Sequence, residues 1–343
     1  ARPPSEPAML TRFFRQDQPT AYLLFPVLVL LLWPGAGTSG GWPWNAAVGV
    51  ADQVVTGMPL YAPVRWVIAL GPWAAFGVSL LLLLGVSLGL NRMANDAELF
   101  DRRNHLPVLL FPLLLAINPF GLIPGPAFLG AWAVVWALAR TWTSMARKNV
   151  LSALFDSGLL LGIAGLFYLP YTFLVVVIWA TLSVTRPVHW REYILPLLGM
   201  AVMLLLGWGA VHFIAPATWQ PMASMHFAPE TPAVPKAHWM YIVILVAVLL
   251  ILAVSVMISF AAVYTHSVMR EKNIRASFLA FAFAMGLLAL FAWWLDKRVP
   301  PVLLALPAAL LLSYPLLQAK RTAWADAAVW SLFLLACWAR WAG

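Results

Sequence analysis

Polar residues in this chain of 343 are confined to short stretches between long apolar runs, and that spacing limits the fold more than any motif does. A helix rises about 1.5 Å per residue, so about 20 apolar residues cross the hydrocarbon of a bilayer. Runs of that kind fall near 21–37, 64–90, 106–119, 125–143, 150–168, 170–185, 192–214, 239–265, 276–294, 300–317 and 324–341. The expected fold is therefore all-α: a polytopic bundle of about eleven transmembrane helices. The runs at 106–119 and 170–185 are the shortest. With 63% apolar and 10% charged residues, the chain lies far from soluble domains, in which about a quarter of residues are charged.

The basic residues orient the bundle. With the N-terminus in the cytoplasm, sixteen of the 21 lysines and arginines fall on the inner side, and only Arg65, Lys236, Lys297, Arg298 and Arg340 fall outside. Cytoplasmic loops carry such an excess, so the N-terminus is expected inside and the C-terminus in the periplasm of a bacterial inner membrane. The net charge of +9 has the same origin: the cations flank apolar runs and form no single patch, which excludes nucleic acid as a partner. Arg12 and Arg15 precede the first run, AYLLFPVLVLLLWPGAG, and no small-residue cleavage pattern follows it, so it reads as a signal anchor. Residues 1–20 form a cytoplasmic segment and 21–343 a single transmembrane domain, with Met9 a candidate start after the Pro-rich ARPPSEPA.

Two outer loops are long enough to carry structure. The first, 38–63, contains an apolar-periodic stretch from Ala46 to Val55 between interfacial tryptophans (Trp42, Trp44 and Trp66), the pattern of a helix lying on the membrane surface, with Asp52 its one acid. The other, 215–238, is Pro-rich and carries His226, Glu230, Lys236 and His238. An extracytoplasmic active site would have these loops as its walls and Asp52 and Glu230 as its candidate catalytic carboxylates. Between two apolar runs, NPFGLIPGP (118–126) is either a tight outer turn or a broken helix whose freed backbone lines a cavity.

On the inner side, NRMANDAELFDRRNHLP (91–107) nearly balances its acids and bases. It is a solvated connection or, through the arginine pair Arg102 and Arg103, a site for an anionic head group. Asp156 is the one acid inside the run that follows Arg147. If the helix starts near Arg147, the acid lies roughly 13 Å along it, where an unpaired charge costs about 2–3 kcal/mol. It therefore needs a partner, with Arg140, Arg102, Arg103 or Ser152 within reach, or a function as proton relay or head-group organiser. Gly158, Gly162 and Gly165 follow on one side of the same span and predict a close helix approach beside it.

Most catalytic constellations are missing from the sequence. The six histidines fall on opposite sides of the membrane, and no HExxH or HxxHH run is present, so no metal site is expected. Neither a P-loop, a dinucleotide fingerprint nor GxSxG occurs, and no cofactor is expected. Cys337 stands alone, which excludes an intrachain disulfide.

The segments NRMANDAELFDRRNHLP and ARTWTSMARKNVLSALFDSGLLLGIAGLFYLPYTFLVVVIWA (139–180), with the start MLTRFFRQDQPTAYLL, resemble an uncharacterised family of integral membrane proteins from Bacteroidota, a domain of unknown function. The likeness runs through the inner Arg-rich segment and an FD-x-G element: Arg140, Arg147, Lys148, Phe155, Asp156 and Gly158. It implies a polytopic fold and no activity. Three functional classes stay open within envelope biogenesis. The first is chemistry on a lipid-linked glycan, with Asp52, Arg65 and Glu230. Next is a carrier or flippase, with Asp156 beside Arg140, Arg147, Arg102 and Arg103 as the head-group residues. Last is a non-catalytic subunit that anchors other envelope proteins. Membrane lipids are partners in all three.

Overall fold

The computed structural model describes residues 25–32, 58–118, 121–145, 150–214, 239–296, 299–319 and 322–341. Among them every regular element is a helix: α1 (Phe25–Leu31), α2 (Tyr61–Ala69), α3 (Pro72–Asp96), α4 (Leu106–Ala116), α5 (Pro126–Ser144), α6 (Leu151–Phe167), a 3-10 helix (Leu169–Leu174), α7 (Val175–Thr185), α8 (Trp190–Ile214), α9 (Trp239–His266), α10 (Met269–Asp296), α11 (Pro301–Gln318) and α12 (Thr322–Trp341). Five of these, α3, α8, α9, α10 and α11, are long and apolar enough to cross a membrane. The stretches over α4, α6, the 3-10 helix with α7, and α12 are shorter and also apolar.

Prolines mark five of the helix starts. Pro72, Pro107, Pro126, Pro170 and Pro301 occupy first-turn positions, where a missing N–H costs nothing. The run expected as one span over 64–90 is two helices, because Gly71 at φ +151° turns the chain between α2 and α3, a conformation open to glycine. α2 lies against the start of α5 and the end of α6, where Met58 and Tyr61 bury against Leu129 and Phe167. The surface helix expected at 46–55 lies outside the described residues. The expected 170–185 span begins as a 3-10 helix, with Pro170 in its first turn, and is continued directly by α7.

The segment 118–126 makes a tight turn at its described positions. The Gly121 N–H donates to the Asn118 carbonyl at 2.9 Å, Ser79 donates to the Leu122 carbonyl, and Gly121, Leu122, Ile123 and Pro124 are buried. Their backbone is thus screened from lipid.

α4 sits at the centre. Its sequence LPVLLFPLLLA has no polar side chain, and nearly all of it is buried among α3, α11 and α12. Around it, α3 packs on α5, α5 on α6, α6 on α8, α7 on α10, and α10 and α9 on α11. The α6–α8 seam is glycine-built. A Cβ at Gly158 would stand 2.8 Å from the Pro196 backbone, one at Gly162 2.6 Å from Met203 Cβ, and one at Gly199 2.9 Å from the Leu159 nitrogen. The close approach expected beside Asp156 is present, and it is backbone against backbone.

Candidate functional site

The end of the bundle that gathers the basic residues is organised by the connection from α3 to α4. α3 stops in a Schellman motif: the Leu99 N–H donates to the Ala94 carbonyl (3.0 Å) and the Glu98 N–H to the Asn95 carbonyl (3.3 Å). This geometry puts the residue after the cap at positive φ, the usual place for glycine, and the chain has Glu98 there at φ +55°. Leu99 turns into the core, and the Tyr314 hydroxyl on α11 donates to its carbonyl at 3.0 Å. At the far end of the connection, buried Asn104 exchanges hydrogen bonds with Asn95 (3.2 and 3.4 Å) and accepts from the Leu106 N–H that opens α4 (3.2 Å). Asn91 and His105, also buried, lie 3.0 Å apart. The connection is anchored at both ends, while Asp101, Arg102 and Arg103 between them are exposed, as expected of a solvated connection.

Between this connection, α3 and α5 lies a cavity of about 700 Å³. Arg92, Arg103 and Arg140 line it together with Asp96, Glu98 and Asp101, while Val135, Trp136 and Leu160 supply an apolar side. The charges are paired off unevenly. Asp96 binds Arg92 at 3.3 Å, Glu98 meets Arg270 at 3.5 Å, and Asp101 accepts from Arg275 at 2.9 Å. Arg140 donates through Nε (3.2 Å) and Nη2 (2.8 Å) to one oxygen of Asp156, which reaches over from α6. Among the described residues, Arg103 has no acid partner. One uncommitted guanidinium, a second with a free nitrogen and an aromatic wall can take a phosphate oxygen fork with an apolar group behind it.

The expected site residues thus divide. Arg103, Arg140 and Asp156 come together around one cavity. Arg102 points away from it and lines a cavity of about 270 Å³ with Val263, Tyr314 and Gln318. Arg65, on α2, is at the opposite end of α3 and about 37 Å distant along a 25-residue helix. Arg147, Asp52 and Glu230 lie outside the described residues. α6 begins at Leu151 and not near Arg147, so Asp156 is about 8 Å along its helix and closer to the interface than the 13 Å expected. Its partner is the first of the four proposed for it, Arg140.

One residue escaped the sequence altogether. Arg275 is the largest fully buried side chain among the described residues, 1% exposed, in the second turn of α10. It binds Asp101, Glu271 (3.5 Å) and the Val263 carbonyl on α9 (3.3 Å), and its Nε has no partner among the described residues. Glu271, four residues before it, was the only visible hint.

Two solved structures share the fold. ArnT from Cupriavidus metallidurans bound to undecaprenyl phosphate matches at a TM-score of 0.50 and 16% identity, over 90% of this chain and 62% of that one. ArnT from the same organism in the apo state matches at the same score and identity, over 88% and 60%. The chain thus spans about three fifths of the length of ArnT. No curated protein sequence matches it. The Family of unknown function DUF6427 does match, over residues 72–339, which takes in every element from α3 to nearly the end of α12, and the chain belongs to that family.

Proposed function

We propose that this is an inner-membrane protein of about eleven spans, N-terminus cytoplasmic and C-terminus periplasmic, that handles a polyprenyl-phosphate lipid or a glycan linked to one. The observation that carries this reading is the likeness, along 90% of the chain, to ArnT bound to undecaprenyl phosphate. The cavity at the basic end supports it with chemistry of its own: Arg103 and Arg140 take the phosphate, Asp156 holds Arg140 in place, and Trp136 and Leu160 meet the first isoprene units. Arg102 adds to the positive field at that end of the bundle. Arg65 serves the outer end.

The test is binding of undecaprenyl phosphate and of undecaprenol to the purified protein, read by intrinsic tryptophan fluorescence. Binding should require the phosphate. Arg103→Ala and Arg140→Ala should each weaken it about tenfold, since one charge-assisted hydrogen bond is worth about 1.5–3 kcal/mol. Equal affinity for the two lipids, or wild-type affinity in Arg103→Ala, would refute the reading.

A transfer reaction at the outer end, with Asp52 and Glu230 as its carboxylates, is a second reading, and Arg65 on α2 is the described cation available to it. Asp52→Ala and Glu230→Ala variants that accumulate normally and leave the envelope phenotype intact would remove it. A stoichiometric partner chain that co-purifies without lipid would favour an anchoring subunit.

A further inference from the structure

We infer that Arg275 is a positioning residue that works by occupying an acid: it holds Asp101 so that Arg103, two residues along the same connection, stays free to bind a lipid phosphate. The inference rests on the proposed head-group site and gives its charge arrangement a cause.

The cavity is lined by as many acids as arginines, so a freely rearranging set of side chains would neutralise itself and leave nothing for an anion. The structure prevents this by assigning each acid to a cation on a particular helix. Asp96 is taken by Arg92 one turn back on α3, Glu98 by Arg270 at the start of α10, and Asp101 by Arg275. Of these, the Asp101 pair matters most. Asp101 is 70% exposed and lines the cavity together with Arg103, so once released it is the nearest acid along the chain able to fold onto Arg103. Its partner could hardly be better fixed: Arg275 is anchored to α9 through the Val263 carbonyl and to its own helix through Glu271.

A buried arginine is costly to desolvate, and one whose Nε stays unpartnered among the described residues is a poor device for stability alone. Removing it leaves no stranded charge, because Asp101 is hydrated and Glu271 half-buried.

The experiment measures undecaprenyl phosphate affinity for Arg275→Met, for Asp101→Asn/Arg275→Met and for Arg103→Ala. Arg275→Met should weaken binding about tenfold, by letting Asp101 capture Arg103, and adding Asp101→Asn should restore it to within about twofold of wild type. Loss without restoration would make Arg275 a structural strut and overturn the inference, as would no loss at all. Should Arg275→Met not accumulate, Arg270→Gln repeats the test at an exposed pair: freeing Glu98 should weaken binding, and adding Glu98→Gln should restore it. A failed restoration there overturns the inference equally. If Arg103→Ala itself binds as wild type, the head-group reading has failed, a result distinct from Arg103 mattering and Arg275 not.

Discussion

Replacing Gly158 by alanine tests the seam that fixes Asp156 in register with the rest of the site. The added Cβ would stand 2.8 Å from two backbone atoms of Pro196, against a normal carbon–carbon separation of about 3.5–4.0 Å. No rotamer relieves this, since both sides are backbone, so α6 and α8 must part by roughly 0.7 Å or more. Forced overpacking of that kind costs about 1–3 kcal/mol. Alanine also gains about 1 kcal/mol over glycine in a helix interior, so the net loss is about 0–2 kcal/mol. Gly85 on α3 provides the control: it is exposed, nothing lies within 4 Å of a Cβ built there, and Gly85→Ala keeps the propensity gain without the clash. The two variants should therefore differ by about 1–3 kcal/mol, or several degrees at about 2–4 °C per kcal/mol. Thermal denaturation in one detergent, followed by tryptophan fluorescence, reads the difference. Melting points within a degree of each other would show that the helices separate at no cost, and the close-approach argument would fail.

Three further outcomes are expected. Asp156→Asn should cost no more than about 1 kcal/mol in the same melt, because the Arg140–Asp156 pair is 46% and 41% exposed and belongs with surface pairs, not with buried ones worth about 3–5 kcal/mol; a collapsed melt would contradict this. Glu98→Val should destabilise by about 1–2 kcal/mol relative to Glu98→Gly, since a β-branched residue is strained at φ +55° and glycine is not; equal melting points would remove strain from the account of this turn. Topology reporters fused at residues 104 and 148 should read cytoplasmic and one at 228 periplasmic, and a periplasmic signal at 148 would break the eleven-span arrangement.

The helices were legible wherever apolar runs ended in charge or proline, as at Asp96, Pro126 and Arg186. They were harder to read where the break was itself apolar: the run through Ile68, Leu70 and Trp73 carries no charge, and the dipeptide Gly71-Pro72 is the one mark of the turn there. Asp156 and Arg140 could be paired from sequence because charges inside apolar spans are few and each needs a partner. Arg275 could not, since it reads as one more inner-side cation; its burial arises from α9, α10 and a connection 174 positions earlier in the chain converging on it. Glu98 was hidden for a related reason. A Schellman stop is written in sequence by glycine, and here the hydrogen bonds to Asn95 and Ala94 impose it on an acid.

The brevity of α4 changes the distance that matters for crossing the membrane. Eleven residues make a helix about 16 Å long, roughly half the hydrocarbon thickness, at the centre of the bundle. A helix that short would leave the described residues at its two ends, among them the buried Asn104, His105, Gly121 and Leu122, below the level of the head groups of such a bilayer. At both ends of α4 the chain satisfies its own polar groups, through Asn95 and Asn104 at one end and Ser79 and Gly121 at the other, so a short helix can stand at the centre of longer ones without exposing bare backbone to lipid.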